Sequence, residues 1–157
     1  MSLVAVIAIL DVLSKSWAHQ LLVGKGSIEV FTGFNLALVH NYGAAFGFLS
    51  SAGGWQRSVF IVLAIAIIGY LGSRLWSAQP QETALNIGFA GIAGGAVGNL
   101  TDRVSQGYVV DFLDFYAGAW HWPAFNLADI AISLGAGIVV ADTFGIFKKN
   151  KKDAIND

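Results

Sequence analysis

Cysteine is absent from this 157-residue chain, which removes disulfides, thiol catalysis and thiolate metal sites together. Charge is scarce as well: 12% of residues are charged against 55% hydrophobic, a balance foreign to water-soluble domains. The formal net charge is −1, and the one dense basic run is Lys148, Lys149, Lys151 and Lys152, so no nucleic-acid partner is expected. There is no H-E-x-x-H helix, and His19, His40 and His121 are scattered. This argues against a metallopeptidase, and the histidines read as interfacial or capping residues. A G-x-S-x-G elbow is missing too, which argues against a serine peptidase. No domain boundary, internal repeat or low-complexity segment interrupts the chain, and a single membrane domain over residues 1–157 is expected.

What is present is apolar sequence in long stretches. A helix needs about 20 mainly apolar residues to cross a hydrocarbon core about 30 Å thick. Residues 2–23, 57–76, 83–103 and 123–147 approach that requirement. The first opens on an apolar run at 3–10 with no basic region before it and no clear A-x-A site after it, so it reads as part of a retained helix. The second has the apolar centre VFIVLAIAIIGYLG between Arg57 and Arg74 and is the cleanest span. The third is dominated by Gly and Ala, which suits close helix contact at a bundle centre. The fourth starts with Pro123 at a first-turn position and ends at the lysine run.

By the positive-inside rule the lysine run places the carboxyl terminus in the cytoplasm; four spans then place the amino terminus there too, with the link 77–82. The longer connections, 24–56 and 104–122, share the outer face. Within the first, the alternation over residues 28–39, broken by Thr32-Gly33, reads as a small β-hairpin. The second reads as a loop that carries Asp111 and Asp114, with Trp120 and Trp122 suited to an interfacial belt. The expected fold class is therefore all-α integral membrane: four transmembrane helices, both termini cytoplasmic, and a small hairpin or cradle and a loop on the outer, periplasmic face.

Ionisable groups inside spans are costly and need a partner or a function. Asp11 and Lys15 are four apart, acid first, the favourable order for an ion pair. They read equally as a local pair holding the first helix to its neighbours and as direct participants in chemistry. Asn99 and Arg103 are likewise four apart, with Asp102 beside them, and follow Gly91, Gly94, Gly95 and Gly98, a small-residue packing pattern. A fixed Arg103 guanidinium near the outer interface suits a carbonyl, a carboxylate or a lipid phosphate. Asp129 lies near the outer end of the fourth span, with Asn126 three residues earlier on the same side. Its mate is Asp111 or Asp114, both within VVDFLDF, and periodicity does not separate them. Asp142, thirteen residues beyond Asp129, lies about 20 Å further along the helix and cannot join them. Two carboxylates brought close in a partly desolvated site share one proton: one activates water while the protonated partner polarises a carbonyl.

Five ordered blocks carry a family resemblance: DVLSK at 11–15, NYGAAFGFL at 41–49, GGAVGNLTDR at 94–103, VVDF at 109–112 and FNLADIAI at 125–132. Together they resemble the bacterial lipoprotein signal peptidases, the signal peptidase II family, over nearly the whole chain. The resemblance implies an aspartic endopeptidase whose dyad is Asp111 and Asp129, so it chooses Asp111 over Asp114. It implies that Asn41, Asn99, Arg103 and Asn126 line the active site, and that Asp11 and Lys15 support structure. It also implies cleavage of prolipoproteins on the amino side of a diacylglyceryl-modified cysteine, without metal or organic cofactor. The expected setting is a bacterial inner membrane, with membrane lipid around a monomer and the active site near the outer face. The hairpin and the following loop with Asn41 are expected to act as a lid. The competing readings are a small proton-coupled transporter, with Asp11, Lys15, Arg103 and Asp129 as a relay, and a non-catalytic scaffold built on the glycine-rich third span.

Overall fold

The computed structural model describes residues 2–43, 54–79 and 82–147. Residues 44–49 of the second motif block and the lysine run lie outside these. The described chain forms four helices and a four-stranded sheet: α1 (Ser2–Leu22), β1 (Ser27–Phe31), β2 (Phe34–Asn41), α2 (Trp55–Trp76), α3 (Thr83–Ser105), β3 (Val109–Ala117), β4 (Trp120–His121) and α4 (Leu127–Thr143). α1 and α2 are long and apolar enough to cross a membrane.

The helices are built inside out relative to a soluble bundle. On α1 the buried positions are Ala8, Asp11, Lys15, Ala18 and Leu22, a 3–4 spaced stripe of small and charged residues. Its exposed face carries Val6, Ile9, Leu10, Leu13 and Trp17. α2 exposes Val59, Val62, Leu63, Ile65 and Tyr70 and buries only Gln56 and Leu71. Large apolar side chains facing outward are what a lipid environment favours. α3 takes the central place, packed against α1, α2 and α4, and buries Gly88, Gly91, Gly94, Gly95 and Gly98. There is no room for larger residues. A Cβ on Gly95 would collide with the carbonyl oxygen of Ala128, and one on Gly98 with the Asp11 carboxylate.

The sheet has the order β1-β2-β3-β4, all antiparallel. β1 and β2 form the expected hairpin, turning at Thr32-Gly33 with Gly33 at φ 99°. The segment 104–122, however, is not a loop. β3 pairs with β2 along its length, setting Val39 opposite Asp111 and Asn41 opposite Val109, and then folds back into β4. The all-α reading is corrected to a helical bundle with a four-stranded sheet, and the hairpin is one wall of that sheet. The physical reason lies in VVDF, whose four residues are all buried and so lack the polar alternation of an exposed strand. Phe112 packs with Ala18 and Leu22, which seats the sheet on the end of α1.

α4 also departs from expectation. It begins at Leu127, with Asn126 as N-cap, and Pro123 stands in extended chain before it. Backbone bonds between Leu113 and Phe125, at 2.9 and 3.1 Å, hold that chain against β3 and deliver Asn126 beside Asp111.

The close packing of α3 gives a paired test. Gly95→Ala forces a methyl into a backbone carbonyl and should destabilise the protein by about 1–3 kcal/mol. Gly72→Ala on α2 meets nothing within 4 Å and should be neutral or mildly stabilising. Thermal unfolding of both variants in detergent checks the contrast; equal melting temperatures would refute the close-packing account.

Candidate active site

The site starts from a lysine. The ammonium of Lys15, only 2% exposed, meets Asp11 Oδ2 at 2.6 Å, Asp102 Oδ2 at 3.1 Å and Asn99 Oδ1 at 2.8 Å. An ammonium has three donors and no acceptor, so these three oxygens saturate it. Each acceptor is tied onward. Asp11 Oδ1 accepts the backbone N–H of Ala128 at 2.8 Å, one of the otherwise unpaired donors in the first turn of α4. Asp102 Oδ2 accepts Val110 N–H at 3.0 Å and pins the start of β3.

Asn99 passes this order to the carboxylates. With its oxygen held by Lys15, its amide nitrogen must face the other way, where it donates to Asp129 Oδ1 at 2.9 Å. Asn126 does the same from the second side. Its oxygen accepts Asp129 N–H at 3.0 Å, closing a capping box with Asp129 Oδ2, and its nitrogen donates to Asp111 Oδ1 at 2.6 Å. Asn41, the last residue of β2 rather than a loop residue, donates to Asp111 Oδ2 at 2.9 Å. Both Asp111 oxygens therefore accept from fixed amides.

Asp111 is 1% exposed. Burial pushes its carboxyl up to about 7, and the neighbouring charge of Asp129 adds to the rise; the Asn41 and Asn126 hydrogen bonds oppose it. Asp111 and Asp129 both line an open groove of about 900 Å³, together with Asn41, Asn99 and Arg103. Arg103 donates to the Gly43 carbonyl at 3.1 Å and lies 5.0 Å from the centre of the Phe60 ring. Arg57 of α2 donates to the Arg103 and Val104 carbonyls at 2.9 and 3.1 Å, satisfying the end of α3. On one side the groove is walled by the sheet at Val39, His40 and His121; on the other by Ile130, Ser133 and Leu134 of α4.

All eight residues singled out from the sequence thus fall within one connected constellation. Asn41, Asn99, Arg103, Asp111 and Asp129 reach the groove, whereas Asn126, Asp11 and Lys15 sit behind it. Asp102 has no assigned role in the sequence, Asp114 stands there only as the alternative mate of Asp129, and His121 reads there as an interfacial or capping residue. Asp102 follows Asn99 by three residues and so shares its face, a signal that a buried Lys15 in need of acceptors makes readable. Asp114 lies 7% exposed opposite Asn35 and binds His121 Nδ1 at 2.9 Å, outside the Asp111–Asp129 network.

Replacing Lys15 by Met would leave Asp11 and Asp102 buried without their cation. A loss of about 3–5 kcal/mol is expected, read as a lowered melting temperature in detergent. A loss below about 1 kcal/mol would show that the ammonium does not hold these elements together.

Three comparisons with known proteins converge. Residues 3–145 match the family described as Signal peptidase (SPase) II. The chain is 46% identical over 148 residues to a lipoprotein signal peptidase of Vibrio campbellii, covering 94% of this chain and 81% of that protein. It is 45% identical over 155 residues to one from Pseudoalteromonas atlantica, covering 99% and 92%. Over 128 residues it is 51% identical to one from Vibrio parahaemolyticus, covering 82% and 72%. Its fold matches a solved bacterial membrane enzyme structure, obtained by the in meso method at 2.3 Å resolution, with a TM-score of 0.79 and 26% identity over 95% of this chain and 90% of that one. A second such structure, at 1.9 Å, matches with a TM-score of 0.72 and 25% identity over 94% and 92%. The sheet seated on apolar helices and the buried aspartate beside a capped helix thus belong to a chain of the signal peptidase II family, aspartic peptidases that process lipoproteins at the membrane.

Proposed function

We propose that this chain is an intramembrane aspartic endopeptidase that cuts diacylglyceryl-modified prolipoproteins on the amino side of the modified cysteine, with Asp111 and Asp129 as its dyad. The observation that carries the reading is the asymmetry of the two carboxylates in one groove. Asp111 is buried and its carboxyl is pushed up to about 7, so below that pH it holds a proton. Asp129 stands in the first turn of α4, where a negative charge is well placed, and is the base. It takes a proton from a water whose oxygen attacks the scissile carbonyl carbon, while Asp111 gives its proton to the carbonyl oxygen. The tetrahedral diol then collapses: the C–N bond breaks, the amine leaves with a proton from Asp129, and Asp111 regains its own. Asn99, Asn126 and Asn41 keep both carboxylates fixed throughout, and Arg103 is placed to orient a substrate carbonyl.

The substrate class is supported by a second, wholly apolar groove of about 340 Å³ between α1, α3 and α4, lined by Ile7, Leu10, Ile138 and others. It shares Ile130 and Leu134 with the first groove. An apolar signal helix or acyl chain confined to the bilayer would enter along this face. The fuller setting belongs to the same proposal: one membrane domain of four spans, α1 to α4, both termini cytoplasmic, working as a monomer in the bacterial inner membrane with the groove near the periplasmic face. No organic cofactor or metal enters the scheme. A proton relay is less well supported, because Asp11 and Lys15 are saturated by fixed partners and lie behind the groove rather than along a path across α2.

The direct test is cleavage of a synthetic diacylglyceryl-prolipoprotein by purified protein. Asp111→Asn and Asp129→Asn should each lower turnover by about a hundredfold or more, while Asp114→Asn keeps its turnover number. Full activity of Asp129→Asn would sink the dyad, and a scaffold would tolerate both substitutions. The pH profile tests the protonation assignment. Because the Asp111 pKa is raised, the proton needed for carbonyl activation is present below about pH 7 and lost above it. The turnover rate should therefore fall as pH rises through about 7, and a rate still climbing there would reverse the two roles.

A further inference from the structure

Asp114 and His121 form a second Asp–His arrangement that the dyad does not use. Asp114 is held from one side by Asn35 Nδ2 at 3.2 Å, and both its oxygens lie 2.9 Å from His121 Nδ1. The imidazole also stacks on Tyr116, 5.4 Å between ring centres, and Tyr116 is itself anchored by its hydroxyl donating to Glu29 at 3.0 Å. Strand pairing of His121 with Tyr116 fixes the backbone beneath it. A carboxylate that already accepts from Asn35 accepts from the imidazole as well, so Nδ1 carries a proton; in the neutral ring Nε2 then presents a lone pair. Nε2 has no hydrogen-bond partner among the described residues, and the side chain, 51% exposed, lines the same groove as Asp111 and Asp129.

A half-exposed histidine held by a buried carboxylate, an aromatic stack and a strand pair is a preorganised acceptor at the groove's sheet wall. We infer that His121, oriented by Asp114, binds the substrate backbone on the carboxyl side of the lipid-modified cysteine, its Nε2 accepting a peptide N–H. The side of the groove determines which part of the substrate it meets. Ile130 and Leu134 lead into the apolar groove and suit the signal segment, so the polar chain beyond the cysteine leaves along the sheet. His121 is then a specificity-determining residue, and Asp114 is a positioning residue acting through it. The inference rests on the proposed peptidase activity.

Two synthetic substrates separate the possibilities. Both carry the same signal segment and diacylglyceryl-cysteine; one continues for six residues and the other ends at the cysteine amide. Wild type should favour the longer by about fivefold in kcat/KM, the worth of one hydrogen bond. His121→Phe keeps the ring that stacks on Tyr116 but lacks the acceptor. It should raise KM for the longer substrate until the preference disappears, with kcat and the shorter substrate unaffected. His121→Gln, which restores an acceptor, should recover part of the preference, and Asp114→Asn should weaken it in the same direction. No length preference in wild type, or an equal loss on both substrates in His121→Phe, would overturn the inference. Failure of wild type to cut either substrate would instead overturn the peptidase reading.

Discussion

The arrangement depends on one buried cation. Lys15 is an ammonium without water, and its three donors end on Asp11 of its own helix and on Asn99 and Asp102 of α3. Taking such charges out of water is costly, and only close partners with every remaining lone pair occupied offset that cost. Beside the ammonium, Asp11 and Asp102 each accept one backbone N–H, from α4 and from β3. The electrostatic requirement of a single side chain therefore fixes two helices, the start of a third and, at Val110, the start of β3 beside the candidate base and acid. An apolar replacement of the same volume would fill the space, yet it would not dictate which way the Asn99 amide points.

That direction is what reaches the chemistry. Asn99 and Asn126 are each held by their oxygens and offer their nitrogens to Asp129 and Asp111. Fixed amide donors cost no reorganisation when charge moves between carboxylates, the general advantage of a preorganised site. The asymmetry arises from where the two acids stand. Asp111 is on a strand under the sheet, and desolvation pushes its carboxyl upward; Asp129 opens a helix at the groove. Under the proposed mechanism, two identical functional groups take different tasks because the backbone places them in different surroundings.

Legibility in the sequence followed the strength of the local rule. The apolar runs located the helices to within a few residues, and Thr32-Gly33 located the hairpin, because membrane thickness and turn chemistry act on contiguous residues. Asp111 and Asp114 were indistinguishable by spacing because VVDF is buried on both faces and breaks the alternation that marks a strand. The pairing that separates them is nonlocal: Asp111 meets Asn41 and Asn126, seventy and fifteen residues away, whereas Asp114 meets Asn35 and His121. The start of α4 differs from the expected one for a different reason. Pro123 is a reasonable first-turn residue, but N-L-A-D at 126–129 is the stronger signal, since Asn caps and an acid three residues later completes the box.

The polar network also explains why the sheet exists. Within a bilayer, backbone groups must be satisfied internally, which favours unbroken helices and disfavours an irregular segment that carries a catalytic side chain. Here the acidic residues collect where α3 ends and α4 begins, and β3 bridges the two ends in its own paired hydrogen-bond ladder. Arg57 closes the carbonyls at the end of α3, and Asp11 and Asn126 take up the amides at the start of α4. A site at that junction has helices on one side, able to receive an apolar segment, and a strand edge on the other, able to receive an extended one. The proposed cleavage, at the boundary between a membrane-bound signal segment and a polar chain, calls for both surfaces at once, and among the described residues the helix ends bring them together.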